Sequence, residues 1–262
     1  WTDALAKAQN GIDKTASNSL PSKEGGKYYL DTDVTLTETW TPASGTVLCL
    51  NGHNITMNGS KKAAIYVINA FTLCDCKGGK DAYGQITHTA GMTGSGVNVL
   101  SGGVFHMYGG SISNNTTNLG DNGGGVYMAG GQFTMYGGSI TGNNVKNNSG
   151  GGVNLASSTV TVSGSANITG NVKGGSKSNG IYTGGTANNV GLKVDSSITI
   201  GDGLTGTARI GVANEPTESN PVKIATGATG DLSVYKDIFT PDVSDKGYEI
   251  TKDENNYLYL TA

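Results

Sequence analysis

The chain has 262 residues, 43 of them glycine, with 35% hydrophobic and 14% charged residues and a formal net charge of −3. So much glycine over so thin an apolar fraction excludes an ordinary helical or α/β domain, and 17 Lys+Arg against 20 Asp+Glu leave nucleic acid or an anionic lipid surface no basic excess to bind. What remains is a fold in which one inner face alone is apolar.

The first predicted element is a short helix in WTDALAKAQNG. Thr2 or Asp3 caps its start, Trp1, Leu5 and Ala8 share one face, and Gly11 stops it. It belongs to an N-terminal cap region, residues 1–27, that closes the first turn of the fold. From residue 28 the chain reads as short alternating strands. The clearest are in the middle, where GGVFHMYGGSISNN at 102–115 returns as GGQFTMYGGSITGNN at 130–144 and more loosely as SSTVTVSGSANITGN at 157–171. Phe105 and Phe133, Met107 and Met135, and Ile112 and Ile140 are each 28 residues apart, which is the length of one coil of a solenoid and not of a hairpin.

Within a coil, apolar and polar residues alternate over runs such as Val126 and Met128, Phe133 and Met135, Val160 and Val162, and glycine pairs separate the runs. Three strands per coil fit that spacing, with glycine at the corners. No helical crossover intervenes, so parallel pairing arises by stacking coil on coil. The predicted fold class is all-β, a single-stranded right-handed parallel β-helix of about eight coils over residues 28–230. Ile86, Ile112, Ile140 and Ile168 form an inward column, and three residues beyond each stand Thr89, Asn115, Asn143 and Asn171, of which the three asparagines are predicted to be a buried ladder of turn-stabilising amides. From 178 to 230 the repeat loosens, with a loop between Pro216 and Pro221. Residues 231–262 form a C-terminal cap, a hairpin around Lys252 to Asn256 with Tyr248 and Ile250 facing Leu258 and Leu260, which shields the last strand edge. The whole, 1–262, is one domain.

Carboxylates are distributed against catalysis. Polysaccharide lyases and hydrolases need paired acids, or acids with a base, around one bond, and lyases also need calcium-binding carboxylates. Between Ala82 and Val194, Asp121 is the only acid, and Arg209 is the only arginine of the chain. Asp31, Asp33 and Glu38 could make a small acidic site, although a solvated strand face explains them; Gly201-Asp202-Gly203 reads as a turn, not a calcium site. His53, His88 and His106 assemble no triad, and all three are predicted to be surface histidines without a catalytic partner, His53 held by backbone bonds at a corner and His106 facing outward beside Thr134 and Thr161. Cys49, Cys74 and Cys76 leave three readings open: reduced packing thiols, one disulfide across successive coils with the third thiol free, or half of a metal site. No metal or other cofactor is expected.

The one candidate binding surface is aromatic. Tyr108 and Tyr136 occupy equivalent repeat positions and should stack one coil apart. With His106 and Tyr127 they offer either a self-stabilising ladder or a strip for sugar rings. Loops 114–124, 143–152 and 170–180 emerge along one edge and present polar groups to a partner.

The order YYLDTDVTLTETW, TVLCLNGHNITM, FTLCDC with QITHT, two GGVxxxxGGxFxMYGGSI-type coils, TGTARIGV and a GYEITKDENNYLYL tail resembles the β-helix domains of large surface proteins of Gram-positive gut bacteria. That resemblance, which covers nearly the whole chain, implies an extracellular module at the bacterial cell surface, a stalk or adhesin segment without catalytic activity and monomeric within a larger chain. The alternatives are a carbohydrate-binding module for host or dietary glycans and, further off, a polysaccharide lyase or glycoside hydrolase. Partners would be a glycan or a host surface protein. The chain opens on Trp1 and has no apolar run of membrane-spanning length, so it reads as a mature or excised segment that does not insert into a membrane.

Overall fold

The computed structural model describes residue 20 and residues 25–77, 83–118, 123–147, 149–156, 158–178, 180–193, 195–227 and 230–262. The helix predicted over 1–11 lies outside the described residues. Among those described, twenty-nine short strands alternate with turns, and the only helical elements are the 3-10 segments Leu232–Ile238 and Ser244–Lys246. The protein is mostly β, and its parallel sheet curls.

In the central repeats the 28-residue interval is the pairing interval. Val104–Met107 pairs in parallel with Gln132–Met135, setting Phe105 against Phe133 and Met107 against Met135, while Ser111–Ser113 pairs with Ser139–Thr141, setting Ile112 against Ile140. The Phe105 and Phe133 rings stack with centroids 4.9 Å apart, and Phe71 continues the stack at 5.6 Å from Phe105. Trp40 closes it edge-on against Phe71. Beyond Phe133 the same column continues through Val160, Ile198 and Ala225, so the filling changes from aromatic to aliphatic along the stack.

One sheet has ten strands. Its first eight, from Lys27–Tyr29 to Val222–Gly227, run parallel, and the last two, Leu258–Thr261 and Glu249–Lys252, are antiparallel. The other large sheet is a path of twelve parallel strands, with Phe239–Pro241 as a branch. It rises from Val34–Leu36 through Ser111–Ser113 to Arg209–Val212 and returns through Val190–Leu192 and Val126–Ala129 to Ile65–Val67. The path therefore folds back on itself at Arg209–Val212, which pairs with both Asn167–Ile168 and Val190–Leu192. The strands Val104–Met107 and Val126–Ala129 bury alternate residues, and Phe105, Met107, Ile112, Val126 and Met128 are all fully buried, which is the period-two pattern that placed them there.

A repeat carries more than three strands. Thr116–Thr117, Asn144–Val145 and Val172–Lys173 make a narrow parallel sheet of their own, so the polar loops at 114–124, 143–152 and 170–180 each contain a short strand. The regularity ends after Lys173. Thr186–Ala187 pairs antiparallel with Val172–Lys173, and Ser176–Ser178 forms a hairpin with Ile181–Thr183, before parallel pairing resumes at Val190 and Ile198. The C-terminal hairpin forms as expected, with Ile250 opposite Leu260 and Lys252 opposite Leu258. Leu258 and Leu260 are fully buried, and Tyr248 packs against the core.

Candidate functional site

The predicted aromatic surface separates into two places. Tyr108 and Tyr136 stack with centroids 4.3 Å apart and planes 7° from parallel, at the end of neighbouring strands in the ten-stranded sheet. His106, on the same strand as the residues leading into Tyr108, lies 6.2 Å from Tyr136 and is in register with Thr134. Burial lowers the pKa of His106, whose Nδ1 is enclosed with no hydrogen-bond partner among the described residues, and raises that of Tyr136, with the nearby Tyr108 acting in the same direction. Two rings in face contact have one face each turned inward, so the pair is built as a ladder and presents only its outer faces. Tyr127 does not join them. It lies on the twelve-strand path between Asn98 and Asn154, in a different sheet.

The other sequence candidates are dispersed. Asp31 and Asp33 stand in the bend between Lys27–Tyr29 and Val34–Leu36 and not in a strand; Asp33 accepts the Asn54 N–H at 2.9 Å and lies 3.3 Å from His53 Nδ1. Glu38 is instead paired with Lys62. Asp121 lies outside the described residues, and Asp202 sits in a turn beside Gly203. Among the described residues no group of three or more His, Cys, Asp or Glu could hold a metal ion. Of the three cysteine readings, the disulfide holds. It joins Cys49 to Cys76, with Cα atoms 6.4 Å apart, and leaves Cys74 as a buried free thiol that burial, with Asp75 beside it, pushes up to about 12. The register places Cys49 opposite Cys74, yet the bond skips to the next cysteine.

His88 corrects the expectation of a surface histidine. It is 3% exposed and stands at the foot of the asparagine column, one position before Thr89, the repeat equivalent of the asparagines. Its Nδ1 donates to Asn115 Oδ1 at 2.7 Å. Asn115 Nδ2 donates to Asn143 Oδ1, Asn143 Nδ2 to Asn171 Oδ1, and Asn171 Nδ2 to Asn189 Oδ1, at 3.0, 2.9 and 2.9 Å. Asn189 then donates through both Nδ2 and its backbone N–H to the Asp242 carboxylate. The amides also accept backbone N–H groups and donate to backbone carbonyls, as when Asn143 Nδ2 reaches the Ile112 carbonyl at 2.8 Å. This buried column is structural: every amide group in it is used by the fold.

A concavity does exist, on a face that sequence inspection passed over. Along the twelve-strand path Gln85, Ser111, Ser139, Asn167 and Arg209 succeed one another in register, each preceding a buried isoleucine. Their side chains therefore lie on the face away from the core. Over them run two adjoining hollows of about 540 and 300 Å³ that share Tyr83 and Ser139 in their linings. Tyr83 makes one wall. Ile181, 54% exposed, makes another, carried by the hairpin whose Lys177 Nζ donates to the Asn114 carbonyl at 3.3 Å. Ser111 and Ser139 on the floor are 7% exposed and Ser113 is 4% exposed. Sequence pattern alone could register the polar column of Gln85, Ser111 and Ser139 but not the walls, which come from segments far away along the chain.

No protein-family model matches the chain, and no curated protein or solved structure shows significant similarity to it. Among the described residues no helix is long and apolar enough to cross a membrane.

Proposed function

We propose that the chain is a segment of right-handed parallel β-helix that serves as a non-catalytic stalk or adhesin module of an exported bacterial cell-surface protein. The observation that carries this reading is the register: in the middle of the chain equivalent side chains meet across steps of 27 or 28 residues in successive parallel strands, as coils stacked along an axis would place them. Such a body transmits length and stiffness without a moving part. The Cys49–Cys76 disulfide supports an oxidising compartment outside the cytoplasm. The dispersal of Asp33 and Glu38 into separate pairs supports a role without bond cleavage. The test is antibody labelling of intact source cells run beside a reducing-end assay on acidic and mucin-type polysaccharides. Surface labelling without product release is expected, and product release or a purely internal antigen would overturn the reading.

A second reading, a carbohydrate-binding module for host or dietary glycans, is favoured by the polar groove beneath Tyr83. Its dimensions fall within those of small-molecule and cofactor sites.

A further inference from the structure

We propose that the groove between Tyr83 and Arg209 binds a linear oligosaccharide that carries a carboxylate, with the carboxylate on Arg209. The inference rests on the carbohydrate-binding reading and assigns its site and ligand class.

Arg209 is the anchor. Its Nη1 donates to the carbonyls of Gly206 at 2.7 Å and Ala208 at 2.6 Å, which fixes the plane of the guanidinium at the end of the groove. No carboxylate is paired with it among the described residues. A guanidinium has five N–H donors, so an edge remains that fits a carboxylate in bidentate fashion. Among the described residues neither hollow is lined by Asp or Glu, and Lys177 stands behind the wall at the other end.

The floor is made for hydroxyl groups. Ser139 donates to Ser111 at 3.1 Å and Ser113 donates to Gln85 at 2.9 Å. Ser111, 7% exposed, accepts that bond while its own proton has no acceptor among the described residues. A buried donor left over is costly unless something supplies the missing partner, and a ligand hydroxyl would do so. Tyr83 and Ile181 give apolar walls against the faces of sugar rings. From Gln85 to Arg209 is four strand steps, about 19 Å at ~4.8 Å each, the reach of a short oligosaccharide.

An acidic peptide fits less well. Peptides commonly add to a free strand edge, and the strands under the groove, such as Ser111–Ser113 and Ser139–Thr141, are paired on both sides.

The experiment is titration calorimetry of the full chain with tetragalacturonate, a hyaluronan tetrasaccharide, cellotetraose and tetraglutamate, repeated with Arg209→Ala, Arg209→Lys, Ser111→Ala and Tyr83→Ala. Binding of at least one acidic tetrasaccharide is expected. Arg209→Ala should weaken it at least tenfold with an unchanged melting temperature, Arg209→Lys should fall between, and Ser111→Ala should weaken it several-fold. Affinity that survives Arg209→Ala, or a preference for tetraglutamate, overturns the proposal. Preference for cellotetraose, lost in Tyr83→Ala, also overturns it but leaves the carbohydrate-binding reading standing. Failure of every saccharide to bind removes both.

Discussion

The hydrogen bonds of the Asn115–Asn143–Asn171–Asn189 column all run one way, from His88 as first donor to Asp242 as last acceptor. Aligned amides in a low-dielectric interior polarise one another, and a carboxylate at the donor end and a ring N–H at the acceptor end suit that polarity. Glycine makes room for it. A Cβ on Gly125 would come within 2.8 Å of both Asn143 Nδ2 and the Ile140 side chain, and one on Gly96 within 2.8 Å of Asn115 Nδ2. These glycines are needed for clearance, whereas Gly110 and Gly138, with φ of +88° and +84°, are needed for their left-handed turns. Asn143→Ala deletes a rung that donates to the Ile112 carbonyl and accepts from the Asn115 backbone and side chain, so it should cost about 3–5 kcal/mol because buried partners are stranded at roughly 1–3 kcal/mol each. Urea unfolding of the variant beside the parent measures this. His88 adds a pH dependence. Burial lowers its pKa below the usual histidine value, the bonds to Asn115 and Lys62 work against that, and Lys177 adds to it. A lowered folded-state pKa means that its contribution is complete above about pH 6.5 and drains away as pH falls through the lower folded value. The melting temperature should therefore fall more between pH 7 and pH 5 in the parent than in His88→Gln; parallel curves would refute the assignment.

At the scale of the element, the strands are only two to six residues long and none is stable alone. Their register is held by what points inward, because a slip of one residue would exchange Phe105, Met107 and Ile112 for polar neighbours. Those columns were legible beforehand because the same side-chain types recur at a constant interval. The ends of the asparagine column were not. His88 occupies its foot one position before the residue the repeat indicated, since its longer ring reaches where Thr89 cannot, and Asp242 arrives from 53 residues beyond Asn189. The groove was hidden for the same reason, as Tyr83, Ile181 and Arg209 share no interval. The disulfide ties two neighbouring strand ends across 27 residues. Closing a loop of that size in the unfolded chain is worth about 3–4 kcal/mol, so the double variant Cys49→Ser, Cys76→Ser should lose stability of that order by calorimetry. Cys74, buried and held far above the range in which thiolates form, should stay unlabelled by iodoacetamide until the chain unfolds.

At the scale of the whole molecule, a stack of parallel strands must end somewhere, and its last open edge would recruit another copy. Here Leu258–Thr261 turns antiparallel onto Val222–Gly227, and Glu249–Lys252 covers it in turn. Removing residues 247–262 should uncover the edge of Val222–Gly227 and produce concentration-dependent oligomers in sedimentation velocity, whereas a truncated chain that stays monomeric would show that the hairpin protects nothing.

The directional amide file gives the architecture a start and a stop that do not depend on its length. A histidine opens it, an aspartate closes it, and between them Asn115, Asn143 and Asn171 each hand a hydrogen on to an identical neighbour before Asn189 passes its own to the aspartate. Duplicating one 28-residue unit in the interior would add a parallel strand to each sheet and a rung to the column while leaving both terminal groups correctly paired, so gene-level copying can extend the sheet without any new chemistry having to be invented.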